Sequence, residues 1–205
     1  MGTMMKAAHN DDATVLTAAT ISGYDLTPAT GEFNEHVWYD FPTVAKVATR
    51  MKSAFTAAEP SAAADIAANT TTFLRKVRAL EATESTMAKA DTGKGVAITE
   101  PVPLYLLEAV GAVNRTPAAF SEAVEEDTDV SPRVLQQTLT LFSAGRIDAL
   151  VYNAQTSGPE TTEVLAAAKA NGVPVVPVTE TLPTGDSYLG WMRDNLAAVR
   201  AALGS

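Results

Sequence analysis

Three residues of this sequence, His36, Glu100 and Glu180, have the chemistry of metal ligands. His36 stands in the run NEHVW, residues 34–38, and each glutamate ends a strand-like apolar run. Imidazole nitrogen and carboxylate oxygen suit Zn²⁺ and Mn²⁺. Because the chain contains no cysteine, any metal must be held by imidazole, carboxylate or water. The sequence therefore indicates a divalent metal site with one histidine and two glutamates.

The second half of the chain predicts elements that would bring the two glutamates together. Short apolar runs alternate with helical patterns, in the order strand 96–99, helix 103–110, helix 132–144, strand 149–152, helix 160–170, strand 173–179 and helix 187–203. This alternation is typical of an α/β fold with a mostly parallel sheet flanked by helices. Ligands bind such sheets beyond the carboxyl ends of the strands. The residues that leave the three predicted strands are Glu100, Asn153 and Glu180.

The first half of the chain is predicted to consist mainly of two helices. A partly β-branched run over 14–21 favours a short strand. Apolar residues at helical spacing then predict an amphipathic helix that starts near Pro42 and ends before Pro60. A longer, alanine-rich helix is predicted over 62–89. His36 lies just before the first of these helices.

Charge and hydropathy exclude two kinds of partner. The chain of 205 residues has a formal net charge of −9, so it has little to offer a nucleic-acid backbone, which requires clustered lysine and arginine. No apolar run reaches the roughly 18 residues that a membrane-spanning helix needs. We therefore expect neither nucleic acid nor the membrane interior as a partner.

Each candidate ligand also has an ordinary structural interpretation. A single histidine beside a tryptophan is more often a packed, hydrogen-bonded residue than a metal ligand. Glu100 and Glu180 could be solvated acids near helix N-termini, where the helix dipole favours them. Asn153 could close an Asx turn, and the acidic run 122–129 could be a solvated face and loop. Spacing alone leaves both interpretations open.

Six segments, read in order, resemble the substrate-binding proteins of zinc- and manganese-type ABC importers. These segments are NEHVWYD at 34–40, ITEPVPLYL at 98–106, RTP at 115–117, VYNAQT at 151–156, VTETLP at 178–183 and SYLGWM at 187–192. The resemblance covers roughly residues 14–203, and the variant is similar to actinobacteria-like homologues. It implies α/β lobes joined by a long rigid helix, with one metal bound between two lobes by four side chains.

The resemblance also implies roles for individual residues. His36 corresponds to the family's second ligand, Glu100 to the third and Glu180 to the fourth. The family's first histidine belongs to an amino-terminal lobe, which the resemblance implies is missing here. Residues 1–33 would be a remnant of that lobe with a tag, and 34–205 the metal-binding carboxy-terminal lobe. Three ligands would then form an open site with water in the vacant position, and the exposed interlobe face could support self-association.

The function implied by the resemblance is transport rather than catalysis. The protein would bind Zn²⁺ or Mn²⁺ as its substrate outside the cytoplasm, without a catalytic cofactor, and deliver the ion to an ABC permease. The parent would be a membrane-anchored lipoprotein or a periplasmic protein, and this chain itself soluble. Two alternatives remain open at this point: a metal-dependent hydrolase, since an open coordination position also describes a catalytic site, and a scaffold or interaction module that binds no metal.

Overall fold

A computed structural model of the chain describes residues 13–24 and 33–204. The elements in chain order are α1 (Ala18–Ser22), α2 (Phe41–Ala58), α3 (Ala63–Asp91), β1 (Gly95–Ile98), α4 (Leu104–Ala109), β2 (Val113–Asn114), α5 (Ala118–Glu125), α6 (Pro132–Ser143), β3 (Ala149–Asn153), α7 (Pro159–Ala170), β4 (Val175–Val178) and α8 (Tyr188–Leu203). Short 3₁₀ turns at Val37–Tyr39 and Pro60–Ala62 precede α2 and α3.

The four strands form one parallel sheet in the order β2-β1-β3-β4. Val96 of β1 pairs with Ala149 of β3, and Leu150 of β3 pairs with Val175 of β4. From β1 the chain continues to β2 on one side, whereas from β3 it continues to β4 on the other side. The strand order therefore reverses between β1 and β3, and the carboxyl ends of these two strands border the crevice where such sheets bind ligands.

Different helices cover the two faces of the sheet. Side chains of α3, α4, α8 and the start of α2 pack on one face, and α5, α6 and α7 pack on the other. The largest fully or almost fully buried side chains of the two layers include Phe41, Val77, Leu106 and Met192 on the first face and Phe120, Phe142 and Val164 on the second. Each such side chain contributes about 1.5–3 kcal/mol by burial. The expected α/β lobe, with a parallel sheet between two helical layers, is confirmed.

A set of hydrogen bonds fixes the turn that carries His36. Asp40 caps α2, because its Oδ2 accepts from the backbone N–H of Thr43 at 3.0 Å. Within the turn, the Tyr39 hydroxyl donates to the carbonyl of Thr179, just after β4, at 2.7 Å. Asn195 of α8 donates to the same hydroxyl oxygen at 3.2 Å. The turn is thereby tied to the carboxyl end of the sheet.

The structure differs from the sequence prediction in the first half of the chain. The strand expected over 14–21 is wrong, because Ala18–Ser22 form a short helix. Lys46 of α2 donates to the carbonyl of Ser22 at 3.0 Å, so this segment packs beside α2 rather than joining the sheet. The two-residue strand β2 and helix α5 were not predicted. The domain boundary between residues 33 and 34 stays a prediction, and residues 1–12 and 25–32 lie outside the described residues.

No helix in the described ranges has both the length and the apolar character needed to cross a bilayer.

Candidate metal centre

His36 is buried and its ring is held by Asn34. The Asn34 Oδ1 accepts from the backbone N–H of His36 at 3.1 Å and lies 2.7 Å from the ring Nδ1. The Asn34 Nδ2 donates to the carbonyl of Pro101 at 3.1 Å, which identifies Oδ1 as the amide atom that faces the histidine. Since an amide oxygen can only accept, Nδ1 carries the proton and Nε2 carries the lone pair. This is the tautomer that binds a metal through Nε2.

The free Nε2 atom of His36 lies among carboxylates. The Oε1 atom of Glu125, the last residue of α5, is 3.5 Å from Nε2. Glu35 joins them: one ligand atom from each of Glu35, His36 and Glu125 lies within 4.8 Å of the other two. This spacing is compatible with a shared cation.

The electrostatics of the group favour a positive ion. Burial lowers the pKa of His36, although the charges of Glu35, Glu180 and Glu100 oppose this shift. The imidazole is therefore neutral at pH 7, as metal binding requires. Burial, reinforced by Glu35, Glu100 and Glu180, raises the pKa of Glu125 to about 7. A divalent cation would relieve the repulsion between these carboxylates.

Glu100 follows β1 at the reversal of strand order and is 3% exposed. Its Oε2 accepts a hydrogen bond from the Asn153 Nδ2 at the end of β3, and the backbone N–H of Asn153 donates to the Thr99 Oγ1 at 3.0 Å. The Oε1 atom has no hydrogen-bond partner among the described residues. An unpaired buried carboxylate oxygen is costly, so this atom is available to a cation.

Glu180 follows β4 and is exposed. Its backbone N–H donates to the Gln155 Oε1 at 2.8 Å, and the N–H of Thr181 donates to the same oxygen at 3.0 Å. The Gln155 Nε2 in turn donates to the Thr181 hydroxyl at 2.7 Å. The backbone at Glu180 is thus attached to the loop after β3, while the carboxylate is in solvent.

The structure brings the three predicted residues into one region but not into one compact group. His36 belongs to the metal-sized group, whereas Glu100 and Glu180 lie outside it and act on His36 and Glu125 through their charges. Sequence reasoning missed Glu35, although it lies inside the quoted motif, and it missed Glu125. The assignment of His36, Glu100 and Glu180 as ligands stays a prediction.

Solved structures similar to this chain share its fold. The periplasmic zinc-binding protein TroA from Treponema pallidum is 16% identical, with a TM-score of 0.75 over 99% of this chain and 76% of that one. A mutant of the laminin-binding adhesin Lmb from Streptococcus agalactiae is 18% identical, with a TM-score of 0.72 over 93% and 71%. FpvC from Pseudomonas aeruginosa in complex with Mn²⁺ is 19% identical, with a TM-score of 0.65 over 95% and 68%.

A family model identifies the chain more directly than these structures do. No curated protein matches the sequence, but the model of zinc-uptake complex component A, periplasmic, matches residues 1–202. Proteins of this family bind substrates and are not enzymes. Membership of the family therefore excludes the alternative function of a metal-dependent hydrolase. The chain therefore belongs to the family of zinc-uptake complex component A, whose members bind a divalent metal outside the cytoplasm for an ABC importer.

Proposed function

We propose that this chain binds Zn²⁺ or Mn²⁺ as its transported substrate through His36, Glu100 and Glu180. The observation that carries the proposal is the orientation of His36. Asn34 occupies Nδ1, and the remaining Nε2 lone pair lies in a region of converging carboxylate charge. A purely structural histidine would be expected to use both ring nitrogens in hydrogen bonds to groups that remain in place without a metal.

The two glutamates contribute differently to this proposed site. Glu100 is held by Asn153 through one oxygen, and its second oxygen is unpaired and buried. That oxygen requires little reorganisation to bind a cation. Glu180 is exposed, so its carboxylate can rotate towards a metal at little cost in desolvation. Binding would therefore join two side chains that asparagines hold in place, His36 and Glu100, which we call the preformed part, to a movable part, Glu180.

The ligand chemistry supports both metals. Carboxylates suit Mn²⁺, whereas the intrinsic order of affinities at sites with nitrogen and oxygen ligands places Zn²⁺ above Mn²⁺. TroA is a zinc-binding protein and FpvC has been solved with Mn²⁺. FpvC has also been solved with Ni²⁺, and our proposal for this chain is Zn²⁺ or Mn²⁺.

Three further parts of the proposal concern the surroundings of the site. We place the metal-binding lobe at 34–205, with water completing an open coordination shell. We place the parent protein at the outer side of the membrane, held by a lipid anchor or free in the periplasm, with the permease as partner. Self-association through the interlobe face would appear as a concentration-dependent mass in sedimentation experiments.

Calorimetric titration of Zn²⁺ and of Mn²⁺ into metal-free protein tests the proposal. We expect one ion per chain, with affinity reduced more than about 100-fold in His36→Ala, since loss of an outer-shell partner alone typically costs about 10–100-fold. Glu180→Ala should also weaken binding, and Glu163→Ala, an exposed change on α7, should not. Thermal unfolding without metal checks that each variant folds. Absent binding in the unsubstituted chain, or unchanged binding in His36→Ala, would refute the proposal.

A further inference from the structure

We infer that Glu125 is an additional ligand of the same metal, contributed by helix α5, so that the coordination shell contains one imidazole and three carboxylates. This inference rests on the proposed function and adds to it a residue outside the three predicted ligands. It also assigns a role to one member of the acidic run 122–129, which otherwise reads as a solvated surface.

The first support is the contact between Glu125 and His36. With the proton of the ring on Nδ1, the lone pair of Nε2 lies 3.5 Å from a carboxylate oxygen. The unprotonated Nε2 cannot donate to the carboxylate, so the imidazole supplies no hydrogen bond to this contact. Two ligand atoms bonded at about 2.1 Å to one tetrahedral metal lie about 3.4 Å apart. The observed separation matches that of two ligands on one metal.

The second support is the buried oxygen of Glu100. Its Oε1 has no hydrogen-bond partner among residues 13–24 and 33–204, and the residue is only 3% exposed. Asn34 connects Glu100 to the histidine, because its side chain lies 2.7 Å from His36 Nδ1 and donates to the carbonyl of Pro101, the residue after Glu100. An unpaired buried carboxylate oxygen in this region is the kind of acceptor that a cation would satisfy.

Helix α5 is anchored well enough to hold Glu125 in place. Phe120 is fully buried in the second core layer, and Ser121 is 3% exposed. The helix ends at Glu125, and the next backbone amides remain bonded to it, with the N–H of Glu126 donating to the carbonyl of Glu122 at 2.9 Å. The Glu125 side chain itself is 28% exposed. It is therefore positioned by a helix that is anchored in the core through Phe120, and it remains open to an ion that enters from solvent.

The added carboxylate changes which ion the site favours. Each further carboxylate makes the ligand set harder, which favours Mn²⁺ relative to the same site without it. Glu125 would also occupy the position that water would otherwise fill in a three-ligand site. Its removal should therefore reduce the affinity for Mn²⁺ by a larger factor than the affinity for Zn²⁺.

The test compares Glu125→Gln with Glu122→Gln by calorimetric titration of Mn²⁺ and Zn²⁺. The two substitutions lie on the same helix and remove the same charge, but Glu122 is exposed and makes no contact with His36 in the described structure. We expect Glu125→Gln to weaken Mn²⁺ binding at least about tenfold, the lower limit for an outer-shell residue, and Glu122→Gln to leave it unchanged.

The visible absorption of bound Co²⁺ provides a readout of the coordination shell itself. The d–d bands should change in Glu125→Gln and not in Glu122→Gln. Equal affinities and equal Co²⁺ spectra for the two variants would overturn the role of Glu125 and leave the proposed function intact. Insensitivity of metal binding to His36→Ala would instead refute the proposed function, so the two failures are distinguishable.

Discussion

Two buried glutamates, Glu100 and Glu84, differ in what surrounds them. Both are at most 5% exposed, and each has one carboxylate oxygen without a hydrogen-bond partner among the described residues. Glu100 lies at the carboxyl edge of the sheet, where its charge acts on His36 and Glu125. Glu84 lies inside the helical layer on α3, where Asp40 and Glu81 are the charges that act on it. The surroundings of Glu100 include an imidazole and a second carboxylate that could bind the same cation, whereas the charges that act on Glu84 repel its ionised form.

This difference shows that burial of an acid does not by itself make a metal site. Burial raises the pKa of Glu84 to about 8, and the charges of Asp40 and Glu81 add to the effect. Glu84 is therefore mostly protonated at neutral pH, because the neutral form avoids both the burial of a charge and the repulsion. At the sheet edge, by contrast, the acids lie near a neutral imidazole whose fixed lone pair could bind a cation together with them. Convergence of different ligand types, rather than burial, distinguishes the two regions.

The largest expected effect concerns Glu84 and is a dependence of stability on pH. Because its pKa rises from 4.5 to about 8 on folding, the folded state binds more protons than the unfolded state between these values. Stability contributed by this group is full below pH 4.5 and is lost as the pH rises to about 8, by up to about 5 kcal/mol. Glu84→Gln should remove this loss. Denaturant unfolding of metal-free protein at pH 5 and pH 8.5 measures it.

Glu163→Gln is the matched control for this comparison, since Glu163 is exposed on α7. Wild type and Glu163→Gln should lose the same stability between the two pH values, whereas Glu84→Gln should lose several kcal/mol less. Glu84→Gln should also bind metal as wild type does, because Glu84 lies outside the proposed site. An equal pH dependence in all three proteins would contradict the assigned protonation of Glu84.

The next effect concerns Asn34, which contacts His36 but is not a proposed ligand. Asn34→Ala removes the acceptor of the Nδ1 proton and the bond to the carbonyl of Pro101. The ring would then lose its fixed tautomer and orientation, and metal affinity should fall about 10–100-fold. Calorimetric titration with Zn²⁺ measures the loss. Asn69→Ala, an exposed change on α3, is the control, and an unchanged affinity in Asn34→Ala would show that Asn34 does not orient the ligand.

Much of the fold could be predicted because its signals are local. The buried strands β1, β3 and β4 are continuous apolar runs, and α2 and α3 have clear helical spacing and boundaries near proline. Strand β2 has only two residues, too few for a periodic pattern. The error at 14–21 has a different cause. A β-branched run becomes a strand only if a sheet edge is available to pair with it, and that depends on the tertiary arrangement.

The candidate site also contains residues that the sequence could indicate and one that only the folded structure reveals. The strand-end rule pointed to Glu100 and Glu180, because the carboxyl ends of parallel strands can be located from sequence. Nothing in the acidic run 122–129 distinguishes Glu125 from its neighbours. Its selection depends on the packing of Phe120, which sets the position of α5, and on the end of that helix. These are properties of the folded chain, so they could not be read from composition or charge.

The smallest expected effect concerns Gln155, which attaches the backbone of the movable part of the proposed site to the loop after β3. Its side chain accepts from the backbone N–H groups of Glu180 and Thr181 and donates to the Thr181 hydroxyl. Gln155→Ala should leave His36 and Glu100 undisturbed and only loosen the backbone that carries Glu180. An exposed hydrogen bond contributes about 1 kcal/mol, so metal affinity should fall about fivefold.

Gln137→Ala, an exposed change on α6, should have no effect in the same titration. A loss as large as that of Asn34→Ala would mean that Glu180 belongs to the rigid part of the site, and the contrast between a preformed and a movable half would then be incorrect.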